Sequence, residues 1–141
     1  RIGLVSNHYA HRLSRDGDRT RKDLHISINP ISDLISGRRI VVIDESIIRG
    51  ITTKFLVREL FSHGADEVHL RITSPLLLRP CPYGINMPKA EEFLSYQIGT
   101  DPREICEYLD ASSLEFLSLE GYQSVCGSAC YFCFGGPDPT L

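Results

Sequence analysis

The fold of this chain is decided by the run Arg39-Ile-Val-Val-Ile-Asp44 and the loop Glu45-Ser-Ile-Ile-Arg-Gly-Ile-Thr-Thr53 that follows it. The first six residues are β-branched without polar alternation, which is typical of a parallel strand buried on both faces. A helical pattern comes next, and Glu67 to Ile72 predicts another strand. Residues 39–73 therefore form a β-α-β unit, and we expect an α/β fold with a parallel sheet flanked by helices.

The helix of this unit has recognisable ends. Thr52 or Thr53 can serve as its N-cap, and His63-Gly64 is a typical helix end. Its apolar positions recur at helical spacing and predict the buried stripe Phe55, Leu56, Leu60 and Phe61.

Other segments are shorter or irregular. Prolines near the first turn predict two short helices, and a final apolar run predicts a last strand. Polar and arginine-rich composition predicts a flexible loop at the N-terminal end, and Cys, Gly and Pro predict an irregular tail. These segments are the turn or short helix Ile31–Ile35, the helices Pro88–Tyr96 and Pro102–Leu109, the strand Leu114–Ser118, the loop 1–29 and the tail 126–141.

Composition excludes several classes of protein. The 141 residues are 42% hydrophobic and 23% charged, as in one globular domain with a real core. A formal net charge of −3 gives no overall basic field for nucleic acid or a membrane. The apolar runs fall well short of the roughly 20 residues that span a bilayer. We therefore expect a cytoplasmic protein, and the start at Arg1 inside an apolar stretch suggests part of a longer one.

The candidate ligand site lies where the first strand ends. Asp44 and Glu45 follow the strand directly, and the loop around Gly50 leads into a helix N-terminus, which is where open α/β sheets bind ligands. Backbone N–H groups and the positive end of the helix dipole suit a phosphate, whereas the carboxylates suit a diol or Mg²⁺. A ligand with a phosphate and sugar hydroxyls would satisfy both. The alternative is that the acidic pair only caps a turn.

The five cysteines indicate a metal site rather than a disulfide framework, because their number is odd and no secretory signal is present. Cys130-x-x-Cys133 allows two thiolates to reach one metal, and Cys81 lies in a proline-rich loop. Cys126 is either a further ligand or a bystander. Spacing alone does not separate iron–sulfur from four-thiolate zinc. Cys106, inside a predicted helix, is expected to be a small core residue.

The sequence resembles type I phosphoribosyltransferases, and among them the amidophosphoribosyltransferases. Asp44-Glu-Ser-Ile-Ile-Arg-Gly-Ile-Thr52 is similar to their phosphoribosyl pyrophosphate (PRPP) signature, Asp-Asp-Ser-Ile-Val-Arg-Gly-Thr-Thr. Further similar segments occur in the family's order over nearly the whole chain. They are Ser6–Arg12, His63–Arg71, Ser74-Pro75, Arg79–Ile85, Leu117–Gly121 and Cys130–Gly135.

The resemblance implies the first committed step of purine synthesis, in which ammonia displaces pyrophosphate from PRPP to give 5-phosphoribosylamine. It assigns the ribose hydroxyls and Mg²⁺ to Asp44 and Glu45, and it places Arg12 and Tyr9 in a catalytic loop that closes over pyrophosphate. The 5-phosphate would lie against the loop amides. The substrate-binding set implied in this way is Asp44, Glu45, Ser46, Arg49, Gly50, Ile51, Thr52 and Thr53.

The resemblance also implies partners and cofactors. Ammonia would come from an N-terminal glutaminase domain that this chain lacks, purine nucleotides would act as feedback inhibitors, and the full-length protein would be a homo-oligomer. A 4Fe–4S cluster would be held by Cys81, Cys130 and Cys133, with the fourth ligand outside the chain or at Cys126. Zinc is the alternative.

Three residues depart from the family pattern: Ile51 replaces a threonine, Glu45 an aspartate and His8 an arginine. The lost hydroxyl bond to phosphate, worth ~1.5–3 kcal/mol, predicts binding weakened about ten- to a hundredfold. The competing hypothesis is a non-catalytic nucleotide- or metal-binding module with a degenerate PRPP loop. A nucleobase-accepting phosphoribosyltransferase is disfavoured because such enzymes have no need of the cysteine tail.

Overall fold

The computed structural model describes residues 4–6 and 28–140, with side chains from Pro30 onward. The first described elements are two short strands, β1 (Leu4–Ser6) and β2 (Ile28–Pro30), which pair antiparallel. The predicted loop 1–29 lies largely outside the described residues, and with it His8, Tyr9 and Arg12.

The core of the fold is a parallel sheet of three strands in the order β3-β4-β5. These strands are β3 (Arg39–Asp44), β4 (Glu67–Ile72) and β5 (Ser113–Phe116). Asp44 is in register with Ile72, and Ile72 with Phe116, so the three carboxyl ends meet at one edge. With helices packed on it, this sheet confirms the predicted α/β fold.

Five helices and two 3₁₀ turns connect these strands within the described residues. None of these helices is long and apolar enough to cross a membrane. The predicted helix Pro88–Tyr96 is instead a 3₁₀ turn followed by a separate helix, because Phe93 between them is extended, with ψ 140°. The elements are α1 (Ser32–Ile35), α2 (Ile51–Ser62), the 3₁₀ turn Ala90–Glu92, α3 (Leu94–Gln97), α4 (Pro102–Tyr108), α5 (Leu119–Cys126) and the 3₁₀ turn Phe132–Phe134.

One face of the sheet carries the core. Alternate residues of β4 are fully buried and pack with α2 and α4, as strand periodicity requires. Burial of such side chains contributes about 1.5–3 kcal/mol each and fixes the helices on the sheet. The buried residues include Val42, Val57, Leu60, Val68, Leu70, Ile72, Ile105 and Leu109.

The expectation that β3 is buried on both faces is wrong for the part of the chain that is described. Val41 is 59% exposed and Ile43 is 71% exposed, whereas Val42 between them is buried. The reason is that β3 is an edge strand of this sheet, and its second face has no helix against it within residues 28–140.

The ends and the buried face of α2 differ in detail from the prediction. The helix begins at Ile51 after Gly50, whose φ of 73° is left-handed, so neither Thr52 nor Thr53 is the N-cap. Phe55 and Leu60 are buried as predicted, and Leu56 is partly buried. Phe61 is 37% exposed and falls outside the stripe, while Thr53 and Val57 complete the buried face. The predicted end at His63-Gly64 is confirmed.

Candidate functional site

The acidic pair lies at the carboxyl end of β3. Asp44 is half-buried and Glu45 is exposed. One oxygen of Asp44 accepts the Glu45 backbone N–H at 2.8 Å, which is the turn-capping role considered for it. Within residues 30–140, the second Asp44 oxygen and both Glu45 oxygens have no protein donor. These three oxygens are available to a diol or a cation.

The loop amides form the other half of the site. No carbonyl or side chain in the described part of the chain accepts the backbone N–H groups from Ser46 to Thr53. The first amides of an α-helix have no intrahelical partner, and they carry the positive end of the dipole. The N-terminus of α2 therefore offers donors to an anion, with Thr52 exposed beside them.

Gly50 shapes the turn into α2. A side chain here would place its Cβ 3.1 Å from Cδ2 of Leu109 and 3.2 Å from Cδ1 of Leu94, both in the core. The left-handed φ of 73° adds strain for any other residue. Leu94 also donates its backbone N–H to the Ile48 carbonyl at 2.7 Å, which fastens the loop to α3.

Arg49 does not lie free in the loop. Its Nη2 lies 2.5 Å from Oε2 of Glu92, and its Nε is buried without a hydrogen-bond partner among the described residues. Sequence reasoning did not identify Glu92, because an ion pair between residues so far apart leaves no periodic signal.

The cysteine tail packs against the loop that carries Cys81. Leu78 donates its N–H to the Cys133 carbonyl at 2.8 Å. Arg79 bonds the carbonyls of Phe132 and Gly136 at 2.8 and 2.9 Å, and its guanidinium stacks 4.0 Å from the Phe132 ring centroid. The irregular tail is thus held to the rest of the chain by backbone carbonyls and one arginine.

Two of the three predicted metal ligands are brought together. The side chains of Cys81 and Cys133 share a hydrogen bond, and the backbone N–H of Tyr83 lies 3.4 Å from the Cys81 sulfur. That amide lowers the pKa of the Cys81 thiol, while burial raises the pKa of Cys133 and the neighbouring Cys81 and Cys130 thiols raise it further. The two shifts have opposite directions, so the Cys81 thiol has the lower pKa of the two.

The remaining cysteines do not complete a ligand set in the described residues. Cys126 and Cys130 are exposed, all five cysteines are free thiols, and no group of three His, Cys, Asp or Glu side chains is arranged to hold a metal in this part of the chain. Cys106 packs against the core as predicted and donates its thiol to the Ala111 carbonyl at 3.2 Å.

The chain is similar to amidophosphoribosyltransferases, although no protein-family model matches it. It is 37% identical to amidophosphoribosyltransferase 2, chloroplastic, of Arabidopsis thaliana over 98% of this chain and 25% of the relative. It is 34% identical to the Synechocystis amidophosphoribosyltransferase over 97% of the chain and 28% of the relative. The chain thus spans about a quarter of the length of these relatives.

Solved structures agree. The glutamine PRPP amidotransferase of B. subtilis, complexed with ADP and GMP, superposes with a TM-score of 0.80 at 31% identity, over 99% of this chain and 32% of that one. A structure described as the allosteric regulatory enzyme of purine biosynthesis gives a TM-score of 0.79 at 32% identity, with the same coverage. The resemblance read from the sequence motifs is confirmed.

Proposed function

We infer that this chain, a relative of the amidophosphoribosyltransferases that corresponds to their C-terminal phosphoribosyltransferase part, binds PRPP and contributes to its conversion to 5-phosphoribosylamine. The single observation that carries the proposal is that one short segment holds both carboxylate oxygens without a protein donor, at Asp44 and Glu45, and backbone amides without a protein acceptor, at the start of α2. We propose that one phosphorylated pentose engages both.

The carboxylates would bind the ribose hydroxyls and the Mg²⁺ that accompanies a pyrophosphate. Carboxylate oxygens are ligands that Mg²⁺ prefers, and three of the four at Asp44 and Glu45 lack a protein donor in the described residues. As pyrophosphate leaves, positive charge grows on the sugar, and a nearby carboxylate stabilises it. Asp44 and Glu45 therefore serve both binding and the displacement itself.

The loop would bind the 5-phosphate. The backbone amides of Gly50 to Thr53 supply donors, Thr52 and Thr53 carry hydroxyls, and Ser46 begins the same turn. We further propose that Tyr9 and Arg12, outside the described residues, close over the pyrophosphate and exclude water. The 1–29 loop, the 126–141 tail and a separate glutaminase domain complete the proposed organisation.

We propose a sulfur-ligated metal centre at the tail. The hydrogen-bonded pair Cys81 and Cys133 fits two thiolate ligands, and Cys130 is close enough to raise the pKa of Cys133. The fourth ligand would be Cys126 or lie outside the chain. When bound, a 4Fe–4S cluster or zinc would link the tail to the Cys81 loop, and iron–sulfur is preferred over zinc only by resemblance.

Other partners follow from the relatives. One solved relative is a complex with ADP and GMP, which supports purine nucleotides as feedback inhibitors. Ammonia from a glutaminase domain, homo-oligomeric assembly and a cytoplasmic location stay predictions.

A non-catalytic nucleotide- or metal-binding module is the second candidate. Ile51 favours it, because an apolar side chain, 49% exposed, stands at the first position of α2 where a hydroxyl would otherwise face the phosphate. Such a module would bind a nucleotide or a metal, or serve as a scaffold, without releasing pyrophosphate from PRPP.

Calorimetric titration with PRPP and Mg²⁺ tests the proposal. Asp44→Asn keeps the acceptor for the Glu45 N–H but removes the charge, and we expect affinity to fall about tenfold or more. Asp66→Asn, an exposed position in the turn before β4, is the matched control. Pyrophosphate release with ammonium chloride separates the two candidates. Equal affinity of Asp44→Asn and wild type would contradict the proposal.

A further inference from the structure

Residues 89–94 pack against the loop 45–53, which carries the PRPP signature. The Leu94 N–H bonds the Ile48 carbonyl at 2.7 Å, and the Leu94 side chain fills the space beside Gly50 that a Cβ would need. Leu94 is fully buried. The loop and this segment are therefore fixed to each other by the backbone and by close packing.

Glu92, two residues before Leu94, uses both of its carboxylate oxygens. Oε2 lies 2.5 Å from Nη2 of Arg49, and Oε1 accepts the backbone N–H of Lys89 at 3.1 Å. The second bond joins the Glu92 side chain to the backbone of Lys89, the residue before the 3₁₀ turn, and restricts that side chain. Arg49 is thus held by an acceptor that is itself fixed.

The positive charge of Arg49 lies next to the N-terminus of α2, where it is unfavourable without an acidic partner. The residue directly precedes Gly50, the N-cap of α2, and a cation is disfavoured at the positive end of a helix dipole. Its Nε is already buried without an acceptor in the described residues. Without Glu92, the guanidinium would lose its carboxylate and recover rotamer freedom inside the loop that presents the amides.

The ion pair contributes little to folding. The side chains of Arg49 and Glu92 are 34% and 40% exposed, and exposed pairs of this kind typically change an equilibrium constant by no more than about fivefold. Its effect is therefore local, on the loop that carries Arg49.

We propose that Glu92 is a positioning residue for phosphate binding. Its carboxylate holds Arg49 in one orientation and thereby keeps residues 48–50 in the conformation that leaves the α2 amides open to the 5-phosphate. The inference rests on the proposed function and adds to it a residue outside the PRPP signature.

Titration calorimetry with ribose 5-phosphate tests this role at the phosphate end alone. Glu92→Gln has one acceptor oxygen for two donors, so it must release either Lys89 or Arg49. We expect its dissociation constant to rise about two- to fivefold, with little change in the thermal midpoint. Glu92→Asp, which keeps the charge, is expected to recover part of the loss. Glu91→Gln, an exposed neighbour, is the matched control with unchanged affinity.

A double-mutant cycle with Arg49→Met shows whether Glu92 acts through Arg49. If it does, Glu92→Gln weakens binding no further once Arg49 is replaced. If the affinity losses of Glu92→Gln and Arg49→Met multiply in the double mutant, the inference is overturned. Wild-type affinity in Glu92→Gln would also overturn it, and so would an affinity loss explained entirely by a lower thermal midpoint. A wild-type chain that binds neither ribose 5-phosphate nor Mg²⁺-PRPP would contradict the proposed function as well.

Discussion

Replacing Ile51 by threonine is expected to strengthen phosphate binding. Ile51 is the first residue of α2, 49% exposed, beside amides that have no protein acceptor in the described residues. A hydroxyl at this position adds one hydrogen bond to a charged phosphate, worth ~1.5–3 kcal/mol, or about ten- to a hundredfold in affinity. Half the isoleucine is already in solvent, so the loss of apolar burial costs folding only on the order of 1 kcal/mol.

The assay is calorimetric titration of ribose 5-phosphate against wild type, Ile51→Thr and Ile51→Val. Valine has the shape of threonine without the hydroxyl, so it isolates the hydrogen bond from the change in size. We expect Ile51→Thr to bind at least tenfold more tightly than Ile51→Val. Equal affinity of these two variants would refute the placement of the phosphate at the start of α2.

Three further outcomes are expected. Gly50→Ala forces a Cβ into core side chains at a left-handed φ, so it should lower the unfolding free energy by roughly 1–2 kcal/mol or more in urea titration, and an unchanged midpoint would contradict this. In the metal-free chain, iodoacetamide should modify Cys81 before Cys106, because a backbone amide lowers the pKa of Cys81 and burial raises the pKa of Cys106. Mass mapping of the modified peptides checks the order. Modification of Cys106 first would contradict the proposed environment of Cys81. Arg103 lowers the pKa of Asp101, so the ionised carboxylate stabilises the folded chain at neutral pH. Asp101→Ala should therefore lower the unfolding free energy at neutral pH, and this difference should fade as the pH falls below about 3.8. A difference that grows in acid would contradict the contact between Asp101 and Arg103.

The β-α-β unit could be predicted because its signals are local. β-branched runs fix β3 and β4, and Gly64 with a φ of 86° ends the helix between them. Pro102, at the first position of α4, likewise predicted the start of that helix. Each of these features depends on residues adjacent in sequence.

The errors arose where distant residues decide the outcome. The β3 sequence does not reveal that no helix lies over Val41 and Ile43 in the described part of the chain. The start of α2 depends on Gly50 packing against Leu94 and Leu109, which residue preferences at Thr52 and Thr53 cannot show.

The part of the site that is contiguous in sequence could be predicted, whereas the part that depends on distant residues could not. Asp44 and the loop are contiguous, so their common location followed from the sequence. Glu92 contacts the loop only through the tertiary fold, and no spacing rule identifies it. The proximity of Cys81 and Cys133 was expected mainly from family resemblance, since spacing alone does not bring such distant thiols together.

The most direct measurement is a crystal structure of the chain with ribose 5-phosphate and Mg²⁺. We expect phosphate oxygens within hydrogen-bonding distance of the backbone N–H groups of Gly50 to Thr53, and the ribose hydroxyls or the metal at Asp44 and Glu45. A phosphate bound elsewhere, or a sugar that contacts neither carboxylate, would contradict it.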